Sequence, residues 1–206
     1  WKRGSYRAEI PKEPPQTAPR TAHVDWQSPT LPWVTVSFKG PAYSDTEKDQ
    51  AALDIMSFLG FSENSDLYQR LVIDEQKVDA LEAATPDHVD PELFSIYARV
   101  KNAADMKNVE EQILNTVSGF KDTLVPAEKL DAVKKRLRYQ FALGMDNSEA
   151  IAGTLAHFIA LRRTPETVNR VYDLYAQITP EDLRNVARKY FAENNRTIVT
   201  LTAPAR

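Results

Sequence analysis

Apolar and polar residues alternate through the first hundred positions, then switch to a spacing of three and four. Ala22, Val24 and Trp26 alternate with His23 and Asp25, which predicts a strand. Val34, Val36 and Phe38 alternate with Thr35, Ser37 and Lys39, a half-buried strand ended by Gly40-Pro41. Ser44 to Glu47 has the spacing of a capping box. It predicts a helix turning Ala51, Leu53, Ile55, Met56 and Leu59 inward, with Gly60 as its C-terminal stop. Beyond a polar break, 65–72 predicts a short helix and 78–84 a strand. The clearest strand sets Phe94, Ile96, Ala98 and Val100 against Ser95, Tyr97, Arg99 and Lys101. Pro86 and Pro91 bracket the connection between these two strands, as in a hairpin.

From Met106 the period is helical. Met106, Val109, Ile113, Val117 and Phe120 share one face, and Leu130, Val133, Leu137 and Phe141 another. Helices follow at 149–161 and 165–176. The last predicted helix starts with Thr179 as N-cap, Pro180 at its first position and Asp182 three residues after the cap. Leu183, Val186, Ala187 and Tyr190 form its inner face, Asn194-Asn195 breaks it, and 197–201 predicts a closing strand. Strands early, helices late and one strand returning predict an α+β two-layer sandwich, a mixed or antiparallel sheet with helices on one face.

Composition narrows the function classes. At 206 residues a single domain buries roughly 70% of the surface its unfolded chain exposes. A net charge of -3 gives no general pull toward nucleic acid or anionic membranes. The basic run Lys134, Lys135, Arg136 and Arg138 interleaves with Leu130, Val133, Leu137 and Phe141 at helical spacing, so it reads as a solvated helix face. There is no cysteine, hence no disulfide, thiolate zinc cluster or cysteine nucleophile. That absence fits a reducing compartment and an exported, periplasmic one alike. No apolar run approaches the roughly 18 residues that a membrane span needs. The chain begins Trp1-Lys2-Arg3-Gly4, without an initiator Met or signal peptide, and is expected to be a piece of a longer protein. Residues 1–19, with prolines at 11, 14, 15 and 19, read as an extended linker leading into a domain over 20–206.

Candidate chemistry is sparse. The six glycines form no phosphate-binding loop, and no G-x-S-x-G occurs; Ser118-Gly119 lies inside a helical pattern. Asp45, Glu47 and Asp49 cluster at a helix start, where carboxylates favour the dipole. His23 reads as outward on a strand, His88 as a loop residue and His157 as a helix residue. No two of them are within helical reach, and Pro91 breaks any helix through His88, Asp90 and Glu92. Trp26 and Trp33 read as core or sheet-edge packing, with an interdomain surface as the other reading.

Several stretches, in order, resemble the second, noncatalytic type of domain in the pitrilysin/insulinase family of zinc metallopeptidases. Trp1 to Gln16, W-K-R-G-S-Y-R-A-E-I-P-K-E-P-P-Q, is similar to the segment joining the two halves in bacterial members related to the mitochondrial processing peptidase. V-T-V-S-F-K-G-P-A-Y-S (Val34 to Ser44) resembles the first core strand and its turn, and S-D-L-Y-Q-R-L-V (Ser65 to Val72) the family's short helix. L-F-S-I-Y-A-R-V-K (Leu93 to Lys101) resembles a central strand, and I-T-P-E-D-L-R-N-V-A-R-K-Y-F-A-E-N-N-R-T-I-V-T-L-T-A-P (Ile178 to Pro204) the domain's end.

The resemblance implies a LuxS/processing-peptidase-like metallohydrolase half that packs against a homologous catalytic domain, in the same chain or a partner subunit. It implies help in enclosing an unfolded peptide substrate, with homo- or hetero-dimers in view; the net charge of -3 points to neither nucleic acid nor membrane as partner. The family's catalytic half carries H-x-x-E-H, two imidazoles for zinc and a glutamate base, and this chain lacks it. Zinc is therefore expected in the partner domain and no cofactor in this one. Family members whose far domain grips substrate follow the short helix with an Arg and, seven residues on, a Tyr. Val72 and Asp79 stand there in this chain, and neither can do that work. No catalytic, metal or substrate-binding residue carries over. The rival implication is a non-enzymatic scaffold or degenerate partner subunit of the same family.

Overall fold

The computed structural model describes residues 4–5, 9, 11 and 13–203. The rest of the linker stretch, and Pro204 at the end of the terminal run, lie outside the described residues. Five strands form one mixed sheet in the order β1-β5-β2-β4-β3: β1 (Arg20–Asp25), β2 (Trp33–Lys39), β3 (Val78–Ala84), β4 (Leu93–Val100) and β5 (Arg196–Thr202). β1 pairs with β5 in parallel and every other pair is antiparallel. The returning strand thus lies inside the sheet, between β1 and β2.

Register decides which side chains share a face. Val34, Val36 and Phe38 stand opposite Ala98, Ile96 and Phe94, and all six are buried. β5 contributes Ile198 opposite Val36, and β3 adds Leu81 opposite Ala98. The helices cover this face. α1 (Lys48–Phe61) packs on β3, and α3 (Met106–Asp122) on β2 and β4. α7 (Pro180–Tyr190) contacts both helices. Phe191 follows α7 and stacks on Phe38 and Phe94, with ring centroids 5.0 and 5.1 Å away. Farther out lie α4 (Ala127–Gly144) and α6 (Thr167–Gln177), both against α1, and α5 (Ser148–Arg162) on α6. The short helix α2 (Asp66–Tyr68) runs on into a π-helical turn at Gln69–Asp74. The α+β sandwich with helices on one face is the architecture expected.

Local departures have identifiable causes. The Ser44 hydroxyl accepts from the Thr46 and Glu47 amides, yet the helix begins only at Lys48: Glu47, its N-cap, keeps an extended backbone, and Asp45 pairs with Arg162 and Arg170. Gly60 does not stop α1, which continues to Phe61. A Cβ there would come within 2.9 Å of the Phe120 ring, so the glycine lets α3 approach closely. At Gly40 the constraint is backbone: its amide donates to the Glu92 carbonyl at 2.7 Å, and a Cβ would sit 2.9 Å from that oxygen. The box at Thr179 closes in both directions, the Asp182 amide donating to Thr179 Oγ1 (3.1 Å) and the Thr179 amide to Asp182 Oδ2 (2.9 Å).

Candidate functional site

Helices cover one face of the sheet, and most of the other is open. On that face Trp33, Thr35 and Ser37 of β2 stand opposite Arg99, Tyr97 and Ser95 of β4 on one side. On the other side they meet Leu201, Val199 and Thr197 of β5. Arg99 lies 5.7 Å from the Trp33 ring centroid, a cation–π distance. Its guanidinium donates to Asp79 at 2.7 Å. Asp79 reaches it because β3 bulges between Val78 and Ala80. Trp26, just past β1, is 51% exposed, and Val24, Leu31 and Tyr97 are exposed with it. The surface is therefore aromatic and branched apolar at one end, with a single ion pair beside it.

At its other end the face is covered by the segment leading into β1. Gln16 is buried there; its amide nitrogen donates to the carbonyls of Ala18 and Arg196 at 2.9 and 2.8 Å. Lys39 donates to the Pro14 carbonyl and pairs with Glu13 at 2.6 Å. Ser37 and Ser95, hydrogen-bonded at 2.8 Å, are consequently buried.

A second polar group ties α1 to α5 and α6. Asp45 is buried and pairs with Arg162 and Arg170 at 2.9 and 3.3 Å. Burial works against its charge, but bonds from Thr167 and Arg162 prevail and hold the carboxyl below the usual carboxylate range. Asp54, in the apolar run of α1, accepts from the Tyr175 hydroxyl at 2.7 Å; desolvation outweighs that bond and pushes its pKa up to about 7. Asp87, in the β3–β4 connection, is raised by burial against the opposing pull of His157, whose ring lies 3.4 Å away. Asp49 accepts from Lys189 and Tyr190, both at 2.6 Å. The acids of the α1 start thus cross-link helices rather than serve the dipole alone, and Glu47 caps the helix without a side-chain bond.

The histidines stay apart. His23 lies on β1, 2.8 Å from the Thr200 hydroxyl; His88 is exposed in the β3–β4 connection; His157 is on α5. Among the described residues no group of three or more His, Asp or Glu is placed to hold a metal ion. Val72 packs against the core, and Asp79 holds Arg99. Ser118 and Gly119 are interior to α3. The basic run divides: Lys134, Lys135 and Arg138 turn toward α6, and Arg136 toward α1 and β3. Trp33 forms the open face rather than the core. What the sequence concealed was the meeting of Trp33, Tyr97, Arg99 and Asp79, since alternation marks outward residues but not the register that groups them. The available signal for Asp54 was one carboxylate inside an apolar helical run.

Comparison with known proteins fits this geometry. Residues 1–137 match the family described as the peptidase M16 inactive domain. A protease from Helicobacter pylori is similar in structure, with a TM-score of 0.84 and 25% identity, over 96% of this chain and 48% of that one. The peptidase M16 inactive domain from Pseudomonas fluorescens superposes with a TM-score of 0.80 at 14% identity, over 98% of this chain and 48% of that one. The inactive peptidase domain of a candidate zinc protease from Bordetella parapertussis gives 0.72 at 18% identity, over 84% of this chain and 93% of that one. The chain spans about half the length of the first two. No curated protein matches it.

Proposed function

The chain belongs to the family of peptidase M16 inactive domains, and on that footing we propose that it packs against an H-x-x-E-H domain and helps enclose a peptide substrate. Residues 20–206 are the packing domain, and 1–19 the segment that joins it to its partner half. The open sheet face carries this reading. Trp33, Tyr97, Val199 and Leu201 leave apolar surface in water on a sheet whose other face is fully used, and such a patch marks a contact surface. The docked segment at 13–18 supports the linker assignment, because it fixes where the chain enters relative to that face.

The contribution to catalysis is geometric. The partner domain holds zinc, which polarises the scissile carbonyl and activates water. This domain limits the space available to substrate and keeps bulk water out. Its residues bear no proton to or from the reacting atoms, and the chain by itself cleaves nothing.

The test is a reconstitution. The chain is joined to, or mixed with, the H-x-x-E-H domain of its own peptidase, and chelator-sensitive cleavage of an unfolded fluorogenic peptide is measured. Cleavage by the pair well above that of the metal-bearing half alone is expected, with Trp33→Ser plus Tyr97→Ser weakening assembly. If the metal-bearing half cleaves equally well without this chain, the reading fails. Assembly without any cleavage identifies a scaffold instead.

A further inference from the structure

The outer helices leave a cleft of about 760 Å³ between α4 and α6, within the size range of ligand-binding pockets. Asp131, Lys134, Lys135 and Arg138 recur along α4 at i, i+3, i+4 and i+7 and form one wall. Asn169 and Asp173 of α6 form the other. Beside Ala176, aromatic rings complete the lining: Phe141 on Tyr172, ring centroids 4.1 Å apart, and Tyr175 edge-on to Tyr172 at 5.4 Å.

The lining is under-used by the fold. Among the described residues Lys135, Arg138, Asp131 and Asp173 have no salt bridge, and Lys134 donates to the Ala176 carbonyl at 3.1 Å. Tyr175 is committed to Asp54, whereas the half-buried Tyr172 hydroxyl has no hydrogen-bond partner among the described residues. The cleft also belongs to the basic part of an acidic chain: residues 127–164 hold seven Lys and Arg against four Asp and Glu, in a protein of net charge -3.

We propose that the cleft between α4 and α6 is a docking site for an acidic peptide segment carrying an aromatic or branched apolar side chain. Carboxylates of such a segment meet Lys135 and Arg138, its apolar side chain lies on Phe141 and Tyr172, and Asp131 and Asp173 accept its N–H groups. A bare phosphate uses only the cations and is repelled by the two acids, and a lipid surface cannot enter a concave site. The cleft lies among the helices, on the side of the sheet away from the open face, so this site is independent of the packing role.

The experiment titrates the full chain into fluorescein-labelled Glu-Glu-Phe-Glu-Glu and its Lys-Lys-Phe-Lys-Lys counterpart, read by fluorescence anisotropy at low salt. Saturable binding of the acidic peptide alone is expected. Lys135→Glu with Arg138→Glu should weaken it by about tenfold or more. The milder pair Lys135→Gln with Arg138→Gln should fall between, and Tyr172→Phe should cost a few-fold. Lys129→Glu, outside the cleft and paired with Asp66, should leave binding unchanged. Equal affinity for both peptides, equal loss in Lys129→Glu, displacement by inorganic phosphate, or binding to phosphatidylserine vesicles in preference to the peptide would each overturn the proposal.

Discussion

Asp54 is the residue whose setting has the clearest thermodynamic consequence. Its carboxyl has an ordinary value of 3.8 and titrates near 7 in the folded protein, desolvation being the main cause and the Tyr175 bond the opposing one. The folded state keeps a proton that the unfolded chain releases. The resulting stabilisation is complete below pH 3.8 and is lost as pH rises through about 7. Asp54→Asn removes the titration while still accepting from Tyr175. The melting temperature of the variant relative to wild type is therefore expected to be near parity at pH 4 and to rise steadily toward pH 8. A difference that does not change with pH would show that Asp54 does not titrate this way. Asp45 behaves in the opposite sense, since its lowered carboxyl contributes above its unfolded value and loses that contribution as pH falls.

Among elements, the two kinds of helical glycine separate packing from propensity. Gly60→Val drives a side chain into the Phe120 ring and should cost about 1–3 kcal/mol in chemical denaturation. Gly153, inside α5 with nothing within 4 Å of an added Cβ, should gain about 0.5–1 kcal/mol on mutation to Ala. If both changes move the same way, close approach at Gly60 is not what selects that residue. α5 itself buries none of its residues and is tied down by His157 to Asp87, Arg162 to Asp45 and Phe158 against Tyr43. Its amides should lose hydrogen-exchange protection well before those of α1 and α3; simultaneous exchange would mean that these few tethers are stronger than they look. Much at this scale was legible beforehand. β3 has the predicted bounds, and Val109, Ile113, Val117 and Phe120 are the buried face of α3. The end of α1 was misread because a glycine near a helix end signals a stop, and only the neighbouring helix reveals that it serves a close approach. The Trp33–Arg99–Asp79 grouping was not legible because it depends on strand register and on the bulge in β3, which arise from pairing rather than from local pattern.

At the scale of the whole molecule, the sandwich is closed on one side only. The open face and its flank carry Trp33, Tyr97, Trp26 and Leu31, so the isolated domain should self-associate weakly. Sedimentation velocity should give a coefficient that rises with concentration, and Trp33→Ser with Tyr97→Ser should flatten that rise. A wild-type chain that stays monomeric throughout would argue that the N-terminal segment shields the face better than its contacts suggest. The match over residues 1–137 fixes the family, and the superpositions fix the fold.

The interior position of β5 also bears on how this chain is made. Of the five strands of this domain β1 is made first, but the strand it pairs with, β5, is made last. Until then β1 has no partner, and β2 is the edge of a three-stranded sheet with β4 and β3. The sheet is therefore complete only once residues 196–202 have been made, and the nascent domain until then presents β2, with Trp33, Val34, Val36 and Phe38, as an unpaired edge to whatever chaperone meets it at the tunnel exit.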